Sequence, residues 1–360
     1  MKIVHIEGGR NLYGGSHQLL LLMQGLAARG HVNHLICRRD SPLAQAASDC
    51  AEVHPLPMGG DMDVTLIPRC YRVIRALRPD LVHLNSRIGA DVMGGIAARL
   101  VGGMPIVHTR RQDNPESRLA VAIKYRLHDR VVAISDGIGR VLLSEGLPAA
   151  KLRVVRDALD PSPFIHAPDK PWLAETFGLP VTAPVIGVVA QLIARKGHRY
   201  LLEALPALLA DDPDLQVIFF GKGPLADALR RQVVQLGVEH RVQLAGFRDD
   251  LPRILPSLDL VVHPALMEGL GVSLLQASAC RVPIVASRVG GIPEAVQDGL
   301  NGLLVEPGNG AALTAAIRRL LGDAALRRQM GEAGRQWVEQ AFSTDRLVDD
   351  TLQIYHELLG

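Results

Sequence analysis

The chain has 360 residues, about twice the length of a typical domain, so we expect two domains with separate hydrophobic cores. Hydrophobic residues make up 48% of it, yet no apolar run approaches the ~18–20 residues of a membrane span, and no secretory leader precedes the first strand, so a cytoplasmic protein is expected. The net charge of +2 and the 4% of aromatic residues disfavour nucleic-acid binding. The four cysteines are scattered, without CxxC or zinc-site spacing, so we expect reduced thiols and no bound metal.

The first half alternates β-rich runs with helical patterns, which is typical of βαβ units. Ser16 and Ser135 are the expected N-caps of helices that begin near Gln18 and Asp136. Parallel strands with crossover helices predict a doubly wound α/β sheet. The predicted strands are Ile3–Glu7, Val32–Cys37, Leu81–Asn85, Pro105–Thr109 and Val131–Ile134.

Positive charge is concentrated in the first half. Residues 1–165 carry 21 Lys and Arg against 15 Asp and Glu, whereas residues 166–360 carry 18 against 22. This excess suits an anionic partner, either a membrane surface or a phosphorylated acceptor. The basic amphipathic segment 66–78 fits peripheral contact with the inner membrane surface, although its pattern favours an ordinary surface helix.

The second half begins after a stretch with six prolines between Asp157 and Pro184, which reads as an interdomain connection. A second set of βα units follows, and the last segment, Thr344–Leu359, is helical by its apolar spacing. Two Rossmann-like domains in tandem result. The predicted strands are Val185–Val189, Gln216–Phe220, Val242–Leu244, Leu258–Val262 and Pro283–Ala286; the predicted helices are Tyr200–Leu209, Leu225–Gln235, Val272–Ala279 and Ala311–Leu321.

The densest group of chemically distinctive residues is the segment 263–273, between an apolar strand and a helix. Its glycines, Gly269 and Gly271, allow close approach of backbone N–H groups, and the helix N-terminus near Val272 favours an anion such as phosphate. Glu268 repels phosphate but accepts hydrogen bonds from sugar hydroxyls. We therefore predict a sugar attached to a phosphate, with Gln276 one turn into the helix suiting a ribose. The alternative for Glu268 is a solvated loop carboxylate.

Two cations, Arg195 and Lys196, follow the first strand of the second half and suit a diphosphate leaving group without a metal. The glycine-rich loop 8–16 suits lining of a cleft or a tight turn, and Arg110 and Arg111 follow another strand. Two further motifs carry less weight. The turn Gly221–Ala226 fits a dinucleotide fingerprint. Asp61-Met62-Asp63 matches a metal-binding DXD pattern, but a pattern of three residues often occurs by chance.

With these residues assembled, the chain resembles the family 4 retaining glycosyltransferases of the GT-B fold over nearly its whole length. The resemblance rests on six motifs considered together. They are Gly14-Gly15, Val132-Ala133-Ile134-Ser135, Arg195-Lys196-Gly197, Glu268-Gly269-Leu270-Gly271, Gly290-Gly291-Ile292-Pro293-Glu294 and Asp298-Gly299-Leu300-Asn301-Gly302.

The resemblance implies two Rossmann-like domains that face each other across a cleft, with residues 1–165 binding the acceptor and 166–343 binding the nucleotide sugar. The final helix, 344–360, is implied to return to the N-terminal domain. It also implies retention of the anomeric configuration, diphosphate binding by Lys196 and a nearby arginine, and sugar binding by Glu268. The other implied donor contacts are Gly15, Gly246, Phe247, Gly269, Leu270, Gly271, Val272, Ser273 and Gln276.

Three departures from the family pattern stand out. The second glutamate, separated from the first by seven residues, is Gln276, and the Gly-Arg pair expected six positions before the diphosphate lysine is Ala190-Gln191. Where many members carry a histidine facing the anomeric carbon, this chain has Arg111. Arg110 and Arg111 are therefore predicted to bind the acceptor or phosphate.

The sequence as a whole predicts a retaining, metal-independent glycosyltransferase without a cofactor. Its expected substrates are a UDP-, GDP- or ADP-linked sugar and a saccharide or lipid-linked acceptor, in cell-envelope or lipopolysaccharide polysaccharide assembly. Two alternatives remain open: a nucleotide-dependent oxidoreductase that uses the Gly221–Ala226 turn, and a catalytically silent protein that only binds a sugar nucleotide.

Overall fold

The computed structural model describes residues 1–12, 14–86 and 89–360, so Tyr13 of the glycine-rich loop lies outside the described residues. The chain divides into two compact units, each with its own parallel sheet. Unit 1 comprises Met1–Ala158 and Ser343–Gly360, and unit 2 comprises Leu159–Phe342. The expectation of two Rossmann-like α/β domains is confirmed.

Unit 1 is built on a seven-stranded parallel sheet in the order β3-β2-β1-β4-β5-β6-β7. The strand order reverses between β1 and β4, which makes that position the topological switch point of the sheet. Its strands are β1 (Lys2–Glu7), β2 (Val32–Arg38), β3 (Glu52–Leu56), β4 (Leu81–Leu84), β5 (Ile106–Arg110), β6 (Arg130–Ala133) and β7 (Leu152–Val154). Its first helices are α1 (Gly14–Ala28), α2 (Pro42–Ala46), α3 (Leu66–Leu77), α4 (Gly95–Val101), α5 (Arg118–Lys124) and α6 (Asp136–Ser144).

Local capping explains where two of these helices begin. The Ser135 hydroxyl accepts a hydrogen bond from the Ile138 amide at 3.1 Å, so the predicted cap of α6 is confirmed. The predicted cap at Ser16 is wrong, because α1 already begins at Gly14 and Ser16 is buried in its first turn. The apolar face of α3, with Cys70 and Ile74, packs into the core of unit 1, so this face is not available to lipid.

Unit 2 has a six-stranded parallel sheet in the order β10-β9-β8-β11-β12-β13, and its switch point lies between β8 and β11. Leu201, Phe219 and Val262 are among the residues of its core, which fills the space between the sheet and its helices. The strands are β8 (Val185–Val189), β9 (Gln216–Phe220), β10 (Val242–Gly246), β11 (Leu260–His263), β12 (Ile284–Ser287) and β13 (Gly302–Val305). The helices are α7 (Lys170–Phe177), α8 (His198–Asp211), α9 (Ala226–Gln235), α10 (Leu251–Ile254), α11 (Val272–Ala279), α12 (Ile292–Ala295), α13 (Gly310–Gly322) and α14 (Ala324–Ala341).

The last helix, α15 (Thr344–Leu359), belongs to unit 1, which confirms the expectation that it returns to the N-terminal domain. Val348 and Tyr355 are fully buried in the core of that unit. The Tyr355 hydroxyl lies 2.6 Å from Nδ1 of His83, whose Nε2 lies 2.7 Å from Oγ1 of Thr109. Burial lowers the pKa of His83 well below its ordinary value, so this bridge between α15 and two strands is uncharged.

Among the described residues, none of the helices has both the length and the apolar character that crossing a bilayer requires.

Replacing Tyr355 by phenylalanine tests how α15 is held. The variant loses the hydroxyl that meets His83 and leaves a buried ring nitrogen without that partner, so we expect the free energy of unfolding to fall by about 1–3 kcal/mol. Urea denaturation gives the measurement. Leu359→Ala, at the exposed end of the same helix, is the control and should change the value by less than about 0.5 kcal/mol. Equal losses in the two variants would contradict a special role for the His83 contact.

Candidate functional site

Two loops flank the switch point of unit 2. One follows β8 and contains Arg195 and Lys196 in a single 3₁₀ turn, and the other follows β11 and contains Glu268. Open α/β sheets bind ligands outside the carboxyl ends of the strands at such a point. The topology therefore brings together the two clusters that the sequence singled out.

Glu268 lies at the centre of this arrangement. Its Oε2 accepts hydrogen bonds from Nζ of Lys196 and from Nε2 of His263, the latter at 2.8 Å, and its Oε1 accepts one from the Gly269 amide at 3.1 Å. The side chains of Lys196 and Glu268 are only 11% and 14% exposed, so the ion pair is largely removed from water. A pair held in this way is much less screened than a surface pair.

The protonation state of Glu268 follows from its surroundings. Burial by itself raises the pKa of the carboxyl group, but the hydrogen bond from His263 and the charge of Lys196 outweigh burial and lower the pKa to about 2. Glu268 is therefore ionised at neutral pH and can only accept hydrogen bonds. Because it cannot donate, His263 must carry its proton on Nε2. His263 begins the segment 263–273, but the sequence pattern gave no indication of this contact.

Glycines fix the backbone of both loops. Gly290 has φ +55° in the left-handed region, and a Cβ there would overlap the carbonyl oxygen of Glu268. The Gly291 amide donates to that same oxygen at 3.1 Å. A Cβ on Gly197 would overlap the Pro264 carbonyl, and the Arg195 carbonyl accepts from the Leu266 amide at 2.7 Å. The loops are thus joined through their backbones.

The N-terminus of α11 lies directly after Glu268. Gly271 has φ +89° and precedes the first helical residue, Val272, while Leu270 is buried. Val272, Ser273 and Gln276 are half-buried and, at spacings of three and four residues, share one face of the helix. The first amides of a helix lack intrahelical partners and carry the positive end of its dipole, so this N-terminus favours an anion.

Gly246 is the last residue of β10 and Phe247 follows it, at the same edge of the sheet. Gly246 has φ +73°, and the Phe247 ring is 50% exposed with the Lys222 ammonium 5.9 Å from its centre. Lys222 belongs to the turn that resembled a dinucleotide fingerprint. The glycines of that turn have a packing role, because a Cβ on Gly221 or Gly223 would overlap a carbonyl of the loop after β8.

Gly15, Arg110 and Arg111 belong to unit 1. A Cβ on Gly15 would lie 2.8 Å from Cδ of Arg111, whose Nη1 pairs with the buried carboxylate of Asp157. Arg110 is 4% exposed and its guanidinium holds the loop after β5, donating to the Gln112 and Asn114 carbonyls at 2.7 and 2.5 Å and pairing with Glu116 at 2.9 Å.

Glu7 was not singled out from the sequence, although it ends β1 beside the switch point of unit 1. It is 3% exposed, and its Oε1 accepts from the Gly9 amide at 2.8 Å. Its Oε2 is buried and makes no hydrogen bond with the described residues. Burial raises the pKa of Glu7, with Arg111 among the groups that oppose the rise.

The DXD-like segment has a local role. Asp63 pairs with Arg69 at 3.1 Å and accepts from the Gly59 amide at 2.8 Å, which closes the loop before α3. Together with Arg38 and Arg39 this loop lines a cavity of about 690 Å³ near the carboxyl ends of β2 and β3.

Comparison with known proteins gives consistent matches over both units. The family model described as Glycosyltransferase Family 4 matches residues 13–162, and the model described as Glycosyl transferases group 1 matches residues 170–337. The chain is 30% identical to a 2-deoxystreptamine glucosyltransferase from Streptomyces kanamyceticus over 316 residues, covering 82% of this chain and 81% of the relative. It is 27% identical to the lipopolysaccharide core biosynthesis glycosyltransferase LpsE of Rhizobium meliloti, over 98% of both chains.

Among solved structures, Anabaena HepE in complex with UDP superposes with a TM-score of 0.87 at 22% identity, covering 99% of this chain and 100% of that one. The same protein has been crystallised with UDP-glucose, with a TM-score of 0.86. At this identity the likeness concerns the fold.

The ionised state of Glu268 predicts a pH dependence of stability. Its folded-state pKa of about 2 lies below the ordinary 4.5, so its contribution is complete above pH 4.5 and is lost as the pH falls toward 2. Glu268→Gln leaves Lys196 buried without its counter-charge, and we expect it to cost about 3 kcal/mol at neutral pH.

Urea denaturation at about pH 6 and about pH 3.5 checks this expectation. The difference between the wild type and Glu268→Gln should narrow at the lower pH, whereas the exposed Glu306→Gln should differ little from the wild type at either pH. A difference that stays constant between the two pH values would contradict the lowered pKa.

Proposed function

This chain belongs to the family 4 glycosyltransferases and has their GT-B fold, and from that premise we propose that it moves a sugar from a nucleotide diphosphate to an acceptor hydroxyl with retention of configuration. The observation that carries the proposal is the contact of Lys196 and His263 with Glu268 beside the N-terminus of α11. Family membership favours a transferase over the oxidoreductase alternative.

In the proposed donor site, groups of opposite charge bind different parts of the nucleotide sugar. Glu268 accepts hydrogen bonds from hydroxyls of the donor sugar, and its ionised state makes it a stronger acceptor than a neutral group. Lys196, Arg195 and the first amides of α11 bind the diphosphate. As the bond to the leaving group breaks, negative charge grows on the diphosphate, and preorganised cations stabilise that charge without a metal or another cofactor.

Retention is proposed to proceed on one face of the sugar. The bond between the anomeric carbon and the phosphate oxygen breaks, the acceptor oxygen bonds to the same face, and the hydroxyl proton passes to the departing phosphate. The state of Glu268 supports this course over a covalent glycosyl-enzyme. Both of its oxygens already accept hydrogen bonds, from Lys196, His263 and Gly269, which lowers its nucleophilicity.

The nucleoside end of the donor is assigned to Phe247 and Gln276. An aromatic ring that is 50% exposed can stack on a base, and an amide can bond to ribose hydroxyls. HepE binds UDP and UDP-glucose in its crystals, so UDP-sugars head the candidates ahead of GDP- and ADP-sugars.

The acceptor is assigned to unit 1. Glu7 and Asp157 both lie near Arg111, and two carboxyl groups beside one guanidinium disfavour phosphate and suit hydroxyl groups. We therefore propose that Arg111 lines the acceptor site of unit 1, and that Arg110 holds the loop after β5.

A phosphorylated or lipid-linked acceptor would extend toward the cavity that Arg38, Arg39 and Arg69 line. Such acceptors are typical of cell-envelope polysaccharide assembly, and the relative LpsE acts in lipopolysaccharide core biosynthesis. We propose a cytoplasmic location with peripheral contact at the inner membrane surface, for which Arg72, Arg75 and Arg78 on the exposed side of α3 supply the charge.

The defining experiment incubates the protein with UDP-, GDP- and ADP-sugars and a panel of saccharide and lipid-linked acceptors. We expect release of a nucleoside diphosphate that depends on an acceptor, no change on addition of EDTA, and a product whose anomeric configuration, determined by NMR, matches that of the donor. Lys196→Ala should lower kcat by about 10²–10³ because a cation facing the leaving group is lost.

Arg231→Ala removes an exposed cation of α9 and serves as the control, with unchanged kcat. No release from any donor would support the catalytically silent alternative, and an inverted product would contradict the proposed mechanism. Full activity of Lys196→Ala would contradict the role of the diphosphate cation.

Gln276→Ala tests the nucleoside end separately. Loss of one hydrogen bond to the ribose should weaken binding of the matching nucleoside diphosphate roughly tenfold, measured by calorimetry. The effect should appear in the KM for the donor rather than in kcat, because the contact is remote from the bond that breaks. Unchanged affinity would place Gln276 outside the binding site.

A further inference from the structure

Three potential metal ligands converge at the edge of the sheet in unit 1. His34 lies on β2, and Glu52 and His54 lie on β3, the strand at one edge of that sheet. The register pairs His34 with Glu52, and His54 is two residues further along β3. Because side chains alternate along a strand, all three point to the same face.

The distances between their ligand atoms fit one shared ion. Nδ1 of His34 lies 3.2 Å from Nε2 of His54 and 3.3 Å from Oε2 of Glu52, and Nε2 of His54 lies 3.7 Å from Oε1 of Glu52. Zn²⁺ bonds of about 2.0–2.1 Å in a tetrahedron place neighbouring ligand atoms roughly 3.3–3.4 Å apart. The group needs only small side-chain shifts to reach this geometry.

Burial of the three side chains is graded in a way that suits a site with an entry path. The His34 side chain is 6% exposed and that of His54 is 20% exposed, while Glu52 is 66% exposed. The inner ligand is therefore held by packing and the outer one faces solvent. A hydrogen bond between the imidazoles of His34 and His54 would by itself explain the short distance between them. It does not explain why the Glu52 carboxylate also lies close to both rings.

We propose that His34, Glu52 and His54 bind one divalent transition-metal ion, with Zn²⁺ as the ion and water in the fourth position. Two imidazoles and one carboxylate suit Zn²⁺, whereas Mg²⁺ and Ca²⁺ prefer oxygen ligands alone. The bound ion links the edge strand β3 to β2. It stabilises unit 1, because the unfolded chain does not present the three ligands together.

The site is separate from the donor residues, which all belong to unit 2, apart from Gly15. No local sequence pattern indicates this metal site, because its ligands come from two strands that are separated in the sequence. Its test is metal binding, so a negative result leaves the proposed transferase activity untouched.

The test uses the full chain, freed of metal by chelation and then titrated with Zn²⁺ in a calorimeter. We expect one ion per chain and a rise of about 5 °C in the thermal midpoint when the free ion is about 100 times the dissociation constant. Co²⁺ in place of Zn²⁺ should give the visible bands of a four-coordinate site without a thiolate charge-transfer band, which separates this site from the free cysteines.

His54→Ala should weaken Zn²⁺ binding roughly tenfold or more, and Glu52→Gln should weaken it while leaving the fold intact, since that side chain is mostly exposed. His166→Ala removes an exposed histidine of unit 2 and should bind as the wild type does. The proposal is overturned if the wild type binds no Zn²⁺, if His54→Ala and Glu52→Gln both bind as tightly as the wild type, or if Co²⁺ reports thiolate ligation.

Discussion

The buried ion pair between Lys196 and Glu268 is the interaction on which the candidate site of unit 2 depends. Removing two charges from water costs free energy that their attraction offsets only when the geometry is good and the other lone pairs are used. Both conditions hold here, since His263 and the Gly269 amide take further positions on the Glu268 carboxylate. The result is a carboxylate that stays ionised and oriented, which is the form that can accept hydrogen bonds from a sugar.

Such a pair can persist only because the backbone leaves it little freedom to rearrange. Gly197 and Gly290 lie where any side chain would overlap a carbonyl of the loop after β11, so the loops after β8 and β12 approach that loop as closely as backbone permits. This explains the motif Gly290-Gly291 more fully than its likeness to a family pattern does. The missing Cβ of Gly290 leaves room for the Glu268 carbonyl, and the Gly291 amide donates to it, which fixes the backbone from which the Glu268 side chain extends.

The two switch points differ in charge, and this difference underlies the proposed division between donor and acceptor. In unit 2 two cations and a helix N-terminus accompany one carboxylate, which suits an anion that carries hydroxyl groups. In unit 1 Glu7 and Asp157 outnumber Arg111, and burial raises the pKa of both carboxyl groups, although Arg111 opposes the rise. A site of that kind disfavours a second phosphate and favours a neutral polyol. The two units thus have sheets of similar topology but present different charges at their switch points.

The sequence predicted most of the strands, but it missed β3, β7 and the apolar strand β13. β8, β9 and α11 have the predicted bounds, whereas β3 contains Pro55 and polar residues and β7 has only three residues. Glu268 and Lys196 were found because each stands beside a strand end in an unusual local pattern. The contact of His263 with Glu268 and the convergence of His34 with His54 depend on the folded structure, and no local sequence pattern indicates them.

Gln276 replaces the glutamate of the family pattern, and the electrostatic consequence of that replacement can be argued physically. A second carboxylate one turn into α11 would add negative charge near both Glu268 and the diphosphate, whereas an amide both donates and accepts hydrogen bonds without charge. In the proposed donor site the nucleoside end therefore relies on hydrogen bonding and stacking, and the electrostatic attraction is concentrated on the diphosphate.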